Sequence, residues 1–277
     1  WVFGYTVIGF LSMKGADIFL GKVLGVTILG FYQMAFFISM LVKTEFATVI
    51  SDVLFPVLSK LQENIQKLRE AFFIALETAI FLSISVSVGI LLLGSDFTRL
   101  FFGEKWMPMV SALQIMAVAG FLHVITKVAS QLFKAVGRPN VLFWLDLVRV
   151  GIIGIVIFPL TVAFELRGVA MAFLLGSLIS IPIWWYKMAE SINLASSVLL
   201  KRISPSLVGA FVMSVFIIST RQLFGSIEIL NFLYLVFIGV ISYFGFLFIL
   251  WKRFNYGPFF RLVVVKQYYK SGFCIQE

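Results

Sequence analysis

LGVTILGFYQMAFFISMLVKTEFATVISDVLFPVLSK, residues Leu24 to Lys60, is an apolar run of membrane length that carries Lys43, Glu45 and Asp52 in its interior. At 100° per residue Glu45 and Asp52 fall within about 20° of each other with Thr48 beside them, whereas Lys43 projects from the opposite side with Ser39 and Tyr32. The acids therefore cannot neutralise Lys43 within this helix. An ionisable side chain at the bilayer centre costs roughly 2.5–3.5 kcal/mol on insertion scales, so it normally faces a protein partner or a watery cavity. Lys43 calls for a partner on another element, or for an anionic substrate.

The rest of the chain agrees with a membrane setting. Of 277 residues, 61% are hydrophobic and 13% charged, with a mean hydropathy of +1.05. A soluble globule would hold roughly 45–50% apolar residues. The fold class expected is all-α, a polytopic transmembrane helix bundle. Spans of about 20 mainly apolar residues place eight helices at 3–23, 29–57, 70–94, 108–136, 140–163, 168–188, 204–223 and 230–251. The short alternating strands of a closed barrel are absent. The chain opens on Trp1 and is apolar at once, without a basic segment or small-residue cleavage site, so it reads as a fragment that lacks upstream helices. One cysteine, Cys274, rules out an intrachain disulfide or a cysteine metal cluster.

Lys and Arg outside the helix interiors sort by alternate loops, thirteen on one side (Lys60 to Lys270) and five on the other. This bias assigns the loops after helices two, four and six, and the C-terminal tail, to the cytoplasm. The net charge of +9 is then a topology signal and a contact with anionic lipid, not a nucleic-acid footprint.

Polar residues recur on definite faces. Thr6, Lys14, Asp17 and Gly21 share one stripe of helix one, where Lys14 and Asp17 can meet at i,i+3. Pro56 is expected to end helix two, leaving Phe55 to Glu70 as an amphipathic connection along the membrane surface, with Leu58, Leu61, Ile65 and Leu68 at helical spacing. Glu77 lies about two turns inside the cytoplasmic end of helix three. Gly120, His123, Thr126, Lys127, Ser130, Gln131 and Lys134 fall within about 140° of arc on helix four, a face too polar for lipid. Asp146 and Arg149 form another i,i+3 pair on helix five. His123 has no HExxH or cysteine partner, and no metal or other cofactor is expected. Helices seven and eight carry no charge in their interiors, and the tail interleaves basic and aromatic residues.

The outer loop contains LFFGEKW at 100–106, followed by Leu113-Gln114-Ile115. With LGVTILGFYQMA from Leu24, VLFPVLSKLQ from Val53 and AVGRP from Ala135, this resembles the Wzx-type polysaccharide flippases. The branch it is most similar to is the colanic-acid exporter branch of the multidrug/oligosaccharide-lipid/polysaccharide exporter superfamily. The resemblance runs from the first residue to about Glu190. It implies the C-terminal part of a fourteen-helix flippase of the bacterial inner membrane. The uncharged interiors of helices seven and eight divide the chain into a six-helix transport lobe over 1–190, two accessory helices over 191–251 and a basic cytoplasmic tail over 252–277.

The residues alone point to a helical transporter with a cationic internal cavity. The resemblance narrows this to flipping an undecaprenyl-pyrophosphate-linked oligosaccharide, with membrane lipids and the N-terminal lobe of the same chain as the other partners. Lys14, Lys43, Lys127 and Arg149 are the candidates for attracting the pyrophosphate. Asp17, Glu45, Glu77 and Asp146 are the acids that trim this charge or bind a coupling cation. No GxxxxGK[ST], HExxH or GxSxG motif is present, which argues against an enzyme. A membrane glycan polymerase or glycosyltransferase would call for a large acid-rich outer loop. A drug or ion antiporter of the same superfamily would couple flux to a small cation.

Overall fold

The computed structural model describes the backbone of residues 2–193, 196–222 and 228–254. Within these it describes side chains except at 2, 5, 6, 8, 11–13, 41–47, 49, 196–200, 251, 253 and 254. The described residues build helices and no strand. They are α1 (Val2–Val23), α2 (Gly25–Lys60), α3 (Ile65–Phe101), a 3-10 turn (Glu104–Met109), α4 (Val110–Ala135) and a stretch from Pro139 to Ser191. That stretch breaks at Glu165 (φ 50, ψ −126), giving α5 over 139–164 and α6 over 166–191. Next come α7 (Ser196–Arg221) and α8 (Ile229–Phe254). The eight expected helices are all found. Among the described residues, five helical stretches are long and apolar enough to cross a membrane, and the 53-residue one accommodates two passes. The chain is a multi-pass membrane protein.

The expectation at Pro56 is corrected. α2 runs through Pro56 to Lys60, and α3 begins at Ile65, so no surface-lying segment separates them. Proline sacrifices one backbone bond near the helix end, and burial decides the outcome: Leu58 and Leu68, both fully buried, join Leu132 and Phe133 in one apolar core. Burying a leucine is worth about 1.5–3 kcal/mol, more than a frayed last turn loses. Asn64 then caps α3 by accepting from the Lys67 amide at 3.1 Å.

Two apolar cores stack along α4. One gathers Phe72, Leu76, Val124, Val128, Leu142 and Trp184 at one end; the other gathers Leu20, Tyr32, Met109, Leu113, Met116 and Val169 at the opposite end. Between α3 and α4, Ser87 Oγ donates to the Ala117 carbonyl and Gln114 Nε2 to the Leu91 carbonyl, each at 2.8 Å. These contacts fix the two helices antiparallel. α2 runs parallel to α4, and a Cβ on Gly120 would stand 3.1 Å from the Ser39 carbonyl. Arg69 reaches 123 residues along the chain to donate to the carbonyls of Ile192 (2.6 Å) and Asn193 (3.0 Å). It thereby satisfies acceptors that the end of α6 leaves open.

α7 and α8 form a third core with α3 around Phe81, Met213, Ile217 and Tyr243, and Tyr243 Oη donates to the Phe81 carbonyl at 2.8 Å. α7 is pinned at both ends. Arg202 pairs with Glu77 at 3.4 Å and Arg221 with Asp96 at 2.8 Å. Glu77 to Asp96 and Arg202 to Arg221 are each nineteen residues, or about 28 Å by the helical rise. α3 and α7 are thus parallel and in register over about the thickness of a bilayer's hydrocarbon core.

Orientation can be tested at exposed positions. Gln62 and Lys105 are both exposed, one in the α2–α3 connection and one in the 3-10 turn at the opposite ends of α3. With Cys274 replaced, cysteine at Gln62 should stay unmodified by an impermeant thiol reagent added to intact cells, while cysteine at Lys105 reacts. External labelling of Gln62 would reverse the assignment.

Candidate functional site

Two of the ion pairs among the candidate residues follow the i,i+3 spacing. Lys14 Nζ lies 3.4 Å from Asp17 on α1, with the lysine side chain 59% exposed and the acid 23%. Arg149 lies 3.5 Å from Asp146 on α5, and there the side chains are only 11% and 9% exposed. Glu77, 5% exposed, pairs with Arg202 of α7, whose guanidinium also stacks over Phe73 at 4.2 Å. Sequence spacing shows the first two pairs; the third spans 125 residues and has no local signal.

Lys43 and Glu45 stand on α2, and their side chains lie outside the described ones. Tyr32 and Ser39, which share Lys43's side of the helix, are buried at 1% and 0% exposure, so that face is turned into protein at least up to Ser39. Asp52 is exposed.

The helix-four stripe divides into two groups. Thr126, Ser130 and Gln131 are buried, and two of them return their hydroxyls to the helix, Thr126 to the His123 carbonyl (2.9 Å) and Ser130 to the Lys127 carbonyl (2.7 Å). Gly120 lets α2 approach. These residues serve packing. His123, Lys127 and Lys134 remain partly accessible.

His123 meets α5. Arg149 Nη1 donates to His123 Nδ1 at 2.5 Å. A guanidinium has no acceptor, so the ring nitrogen must accept and the imidazole is the neutral tautomer protonated on Nε2. Arg149 Nε is buried without a hydrogen-bond partner, and an unsatisfied buried donor costs about 1–3 kcal/mol. This cluster lies where the two apolar cores adjoin. Sequence reading paired Arg149 with Asp146 and missed His123 as the third member, because its 26-residue separation is set by the turn between α4 and α5.

Backbone register places these groups in depth. Ser87 against Ala117 sets position 127 of α4 level with Glu77, within about one turn. Gly120 against Ser39 sets positions 43 and 45 of α2 level with about 124 and 126. Lys43, Glu45, Glu77, His123, Lys127, Asp146 and Arg149 therefore belong to one layer. α1 runs parallel to α5, with Phe19 on Phe158 at 6.3 Å and Gly4 against the Phe143 ring. Lys14 is thus level with about position 153, hence with about 119 on α4 and 85 on α3. That is close to midway between Glu77 and Asp96. The Lys14–Asp17 pair stands apart from the layer, near the bilayer midplane. Among the described residues no cluster of His, Cys, Asp or Glu could hold a metal.

Residues 1–111 match the family described as polysaccharide biosynthesis protein. The lipopolysaccharide biosynthesis protein WzxC of Escherichia coli (strain K12) is 27% identical over 143 residues, 52% of this chain and 29% of that protein. The teichuronic acid biosynthesis protein TuaB of Bacillus subtilis (strain 168) is 25% identical over 177 residues, 64% of this chain and 37% of that protein. The chain thus spans less than two fifths of the length of these relatives. In three dimensions it is similar to the lipid II flippase MurJ in its inward closed conformation, with a TM-score of 0.73 at 19% identity, over 90% of this chain and 52% of that one. The Wzx-type likeness read from the motifs is borne out, and with it a multi-pass protein of the bacterial inner membrane.

Proposed function

We propose that this chain forms one wall of a flippase that carries a lipid-linked oligosaccharide, an undecaprenyl-pyrophosphate-linked glycan, from the cytoplasmic to the outer leaflet. One observation carries the reading. Lys14 exposes most of its side chain near the bilayer midplane, where contact with lipid would cost roughly 2.5–3.5 kcal/mol. Asp17 offsets that charge only in part, across 3.4 Å. Water in a cavity, or a second helical body, must face this side of α1. A hydrophilic glycan and its pyrophosphate cannot cross hydrocarbon unaided, and a wet cleft between two lobes shields them while the lipid tail stays in the bilayer.

Residues 1–190 supply the wall in this reading. Cationic positions 43, 127 and 149 mark its cytoplasmic half, and Lys14 lies farther along the route. The acids Asp17, Glu45 and Asp146 hold the net charge low enough for release. Helices α7 and α8 brace the wall in this reading; the basic tail, whose composition suits an anionic leaflet, lies beyond position 254 and outside the described residues. The family match and the polysaccharide biosynthesis proteins it resembles support the glycan, and the fold shared with a flippase supports the movement.

The test is glycan export by the complete transporter at matched membrane abundance. Charge is what attracts pyrophosphate, so Lys14→Gln and Lys127→Gln should each reduce export about tenfold or more, whereas the Arg variants retain most of it. Undiminished export by both Gln variants would remove the cationic route. Restoration of Lys14→Gln by Asp17→Asn would reduce Lys14 to a pairing role.

A further inference from the structure

We infer that the groove floored by α3, between α8 and the wall made by α2 and α4, is a binding site for one acyl chain of an outer-leaflet phospholipid. Its volume is about 280 Å³, and an apolar cavity of roughly 150 Å³ already takes up benzene. Leu93, Leu113, Met213 and Ile217 are its buried floor. Val86, Val236, Val240 and Phe244 are exposed along its lips, so the groove opens sideways to the hydrocarbon. Gly89 keeps it wide, since a Cβ there would meet nothing within 4 Å.

Depth selects a leaflet. On α3 the groove runs from Ser85 to Phe97, twelve residues or about 18 Å by the helical rise. Its outer end is level with the Asp96–Arg221 bridge, and its inner end is close to midway between Glu77 and Asp96. The length is therefore that of one leaflet, half of a hydrocarbon core of about 30 Å.

Chemistry selects a hydrocarbon chain. Among the described residues that line the groove, Ser85 carries the only polar side chain, and its Oγ donates to the Leu82 carbonyl at 2.9 Å. No lining side chain is left to compensate a sugar hydroxyl or a phosphoryl oxygen for its lost water. At the outer end two half-exposed arginines each have an acid in contact, Arg221 with Asp96 and Arg99 with Glu104, both at 2.8 Å. A rim with charges of both signs suits a zwitterionic phospholipid, whose headgroup also carries one of each. A polyprenyl pyrophosphate would bring several negative charges to arginines already answered, and a tail longer than one leaflet. An acyl chain seated here packs on α3 and α8 at once, and so joins the α7–α8 pair to the transport lobe.

The experiment is native mass spectrometry of the purified complete transporter after extensive washing in detergent, with melting temperature followed in parallel. One phospholipid should stay bound. Dipalmitoyl phosphatidylethanolamine added to washed protein should raise the melting temperature by about 5 °C or more. The dioctanoyl lipid, whose chains stop short of Ser85, should bind about tenfold more weakly or worse. Gly89→Phe sets a ring in the groove and should abolish both the retained phospholipid and the response to added lipid. Gly151→Phe, at an exposed glycine of α5 where a Cβ also meets nothing within 4 Å, should keep both. Gly89→Leu fills the groove with a smaller side chain and serves if the phenylalanine variant fails to fold. Washed wild type that holds only detergent, or a polyprenyl lipid in place of a phospholipid, would overturn the inference. So would a folded Gly89→Phe or Gly89→Leu protein that still retains the phospholipid and is stabilised by it.

Discussion

Gly168→Ala should unfold the lobe under conditions where the wild type is stable, with a loss above about 4 kcal/mol, a size reserved for severe backbone conflict. A Cβ built on Gly168 would collide with the carbonyl oxygen and carbon of Leu160 and stand 2.8 Å from the Thr161 nitrogen. These are backbone atoms and cannot swing aside. The crowding arises because α5 reverses into α6 within a few residues, and Glu165 at φ 50, ψ −126 makes the bend. A non-glycine residue held in such a conformation costs about 1–3 kcal/mol. Glu165→Gly should accordingly be neutral or raise stability by about 1 kcal/mol. Gly30, which has nothing within 4 Å of an added Cβ, supplies the control. Thermal melts of the three variants in detergent decide the matter, and a Gly168→Ala protein as stable as Gly30→Ala would refute the tight reversal.

Arg202→Gln is expected to have the second largest effect. Glu77 is 5% exposed and its partner 26%, so removing the guanidinium leaves a carboxylate in an apolar setting and also strips the stacking on Phe73. Breaking a buried pair from one side costs about 3–5 kcal/mol, and the partial exposure of Arg202 argues for the lower figure. Replacing both members, as Glu77→Gln with Arg202→Gln, should recover most of the stability, because two neutral amides of similar volume remain. The same double variant separates two roles for Glu77. As a clamp between α3 and α7 it is dispensable once both charges are gone, and glycan export should persist. A well-folded double variant that exports nothing would return Glu77 to the coupling acids.

The reach of sequence reasoning can be seen in particular residues. Helix number was visible in the apolar runs, since each span must satisfy its own backbone in hydrocarbon. Lys14–Asp17 and Asp146–Arg149 were visible because i,i+3 neighbours on a helix meet whatever the tertiary fold. Pro56 misled, because its local cost is small beside the burial of Leu58 and Leu68. The stripe on α4 was a real face, but periodicity could not separate its packing residues, such as Gly120 and Ser130, from His123 and Lys127. Partners such as Arg202 for Glu77 and His123 for Arg149 depend on which helices become neighbours. No spacing within one helix encodes that.

The two bridges between α3 and α7 also govern how the protein meets membranes of different depth. A single helix answers hydrophobic mismatch by tilting. Two parallel helices fastened to each other near both membrane faces can tilt only together, and the rest of α3's packing against α4 moves with them. Accommodation then falls on the lipid, which must thin or thicken around a rigid wall. Acyl-chain length thereby becomes a variable that acts on this protein through strain in its surroundings, without any headgroup being recognised.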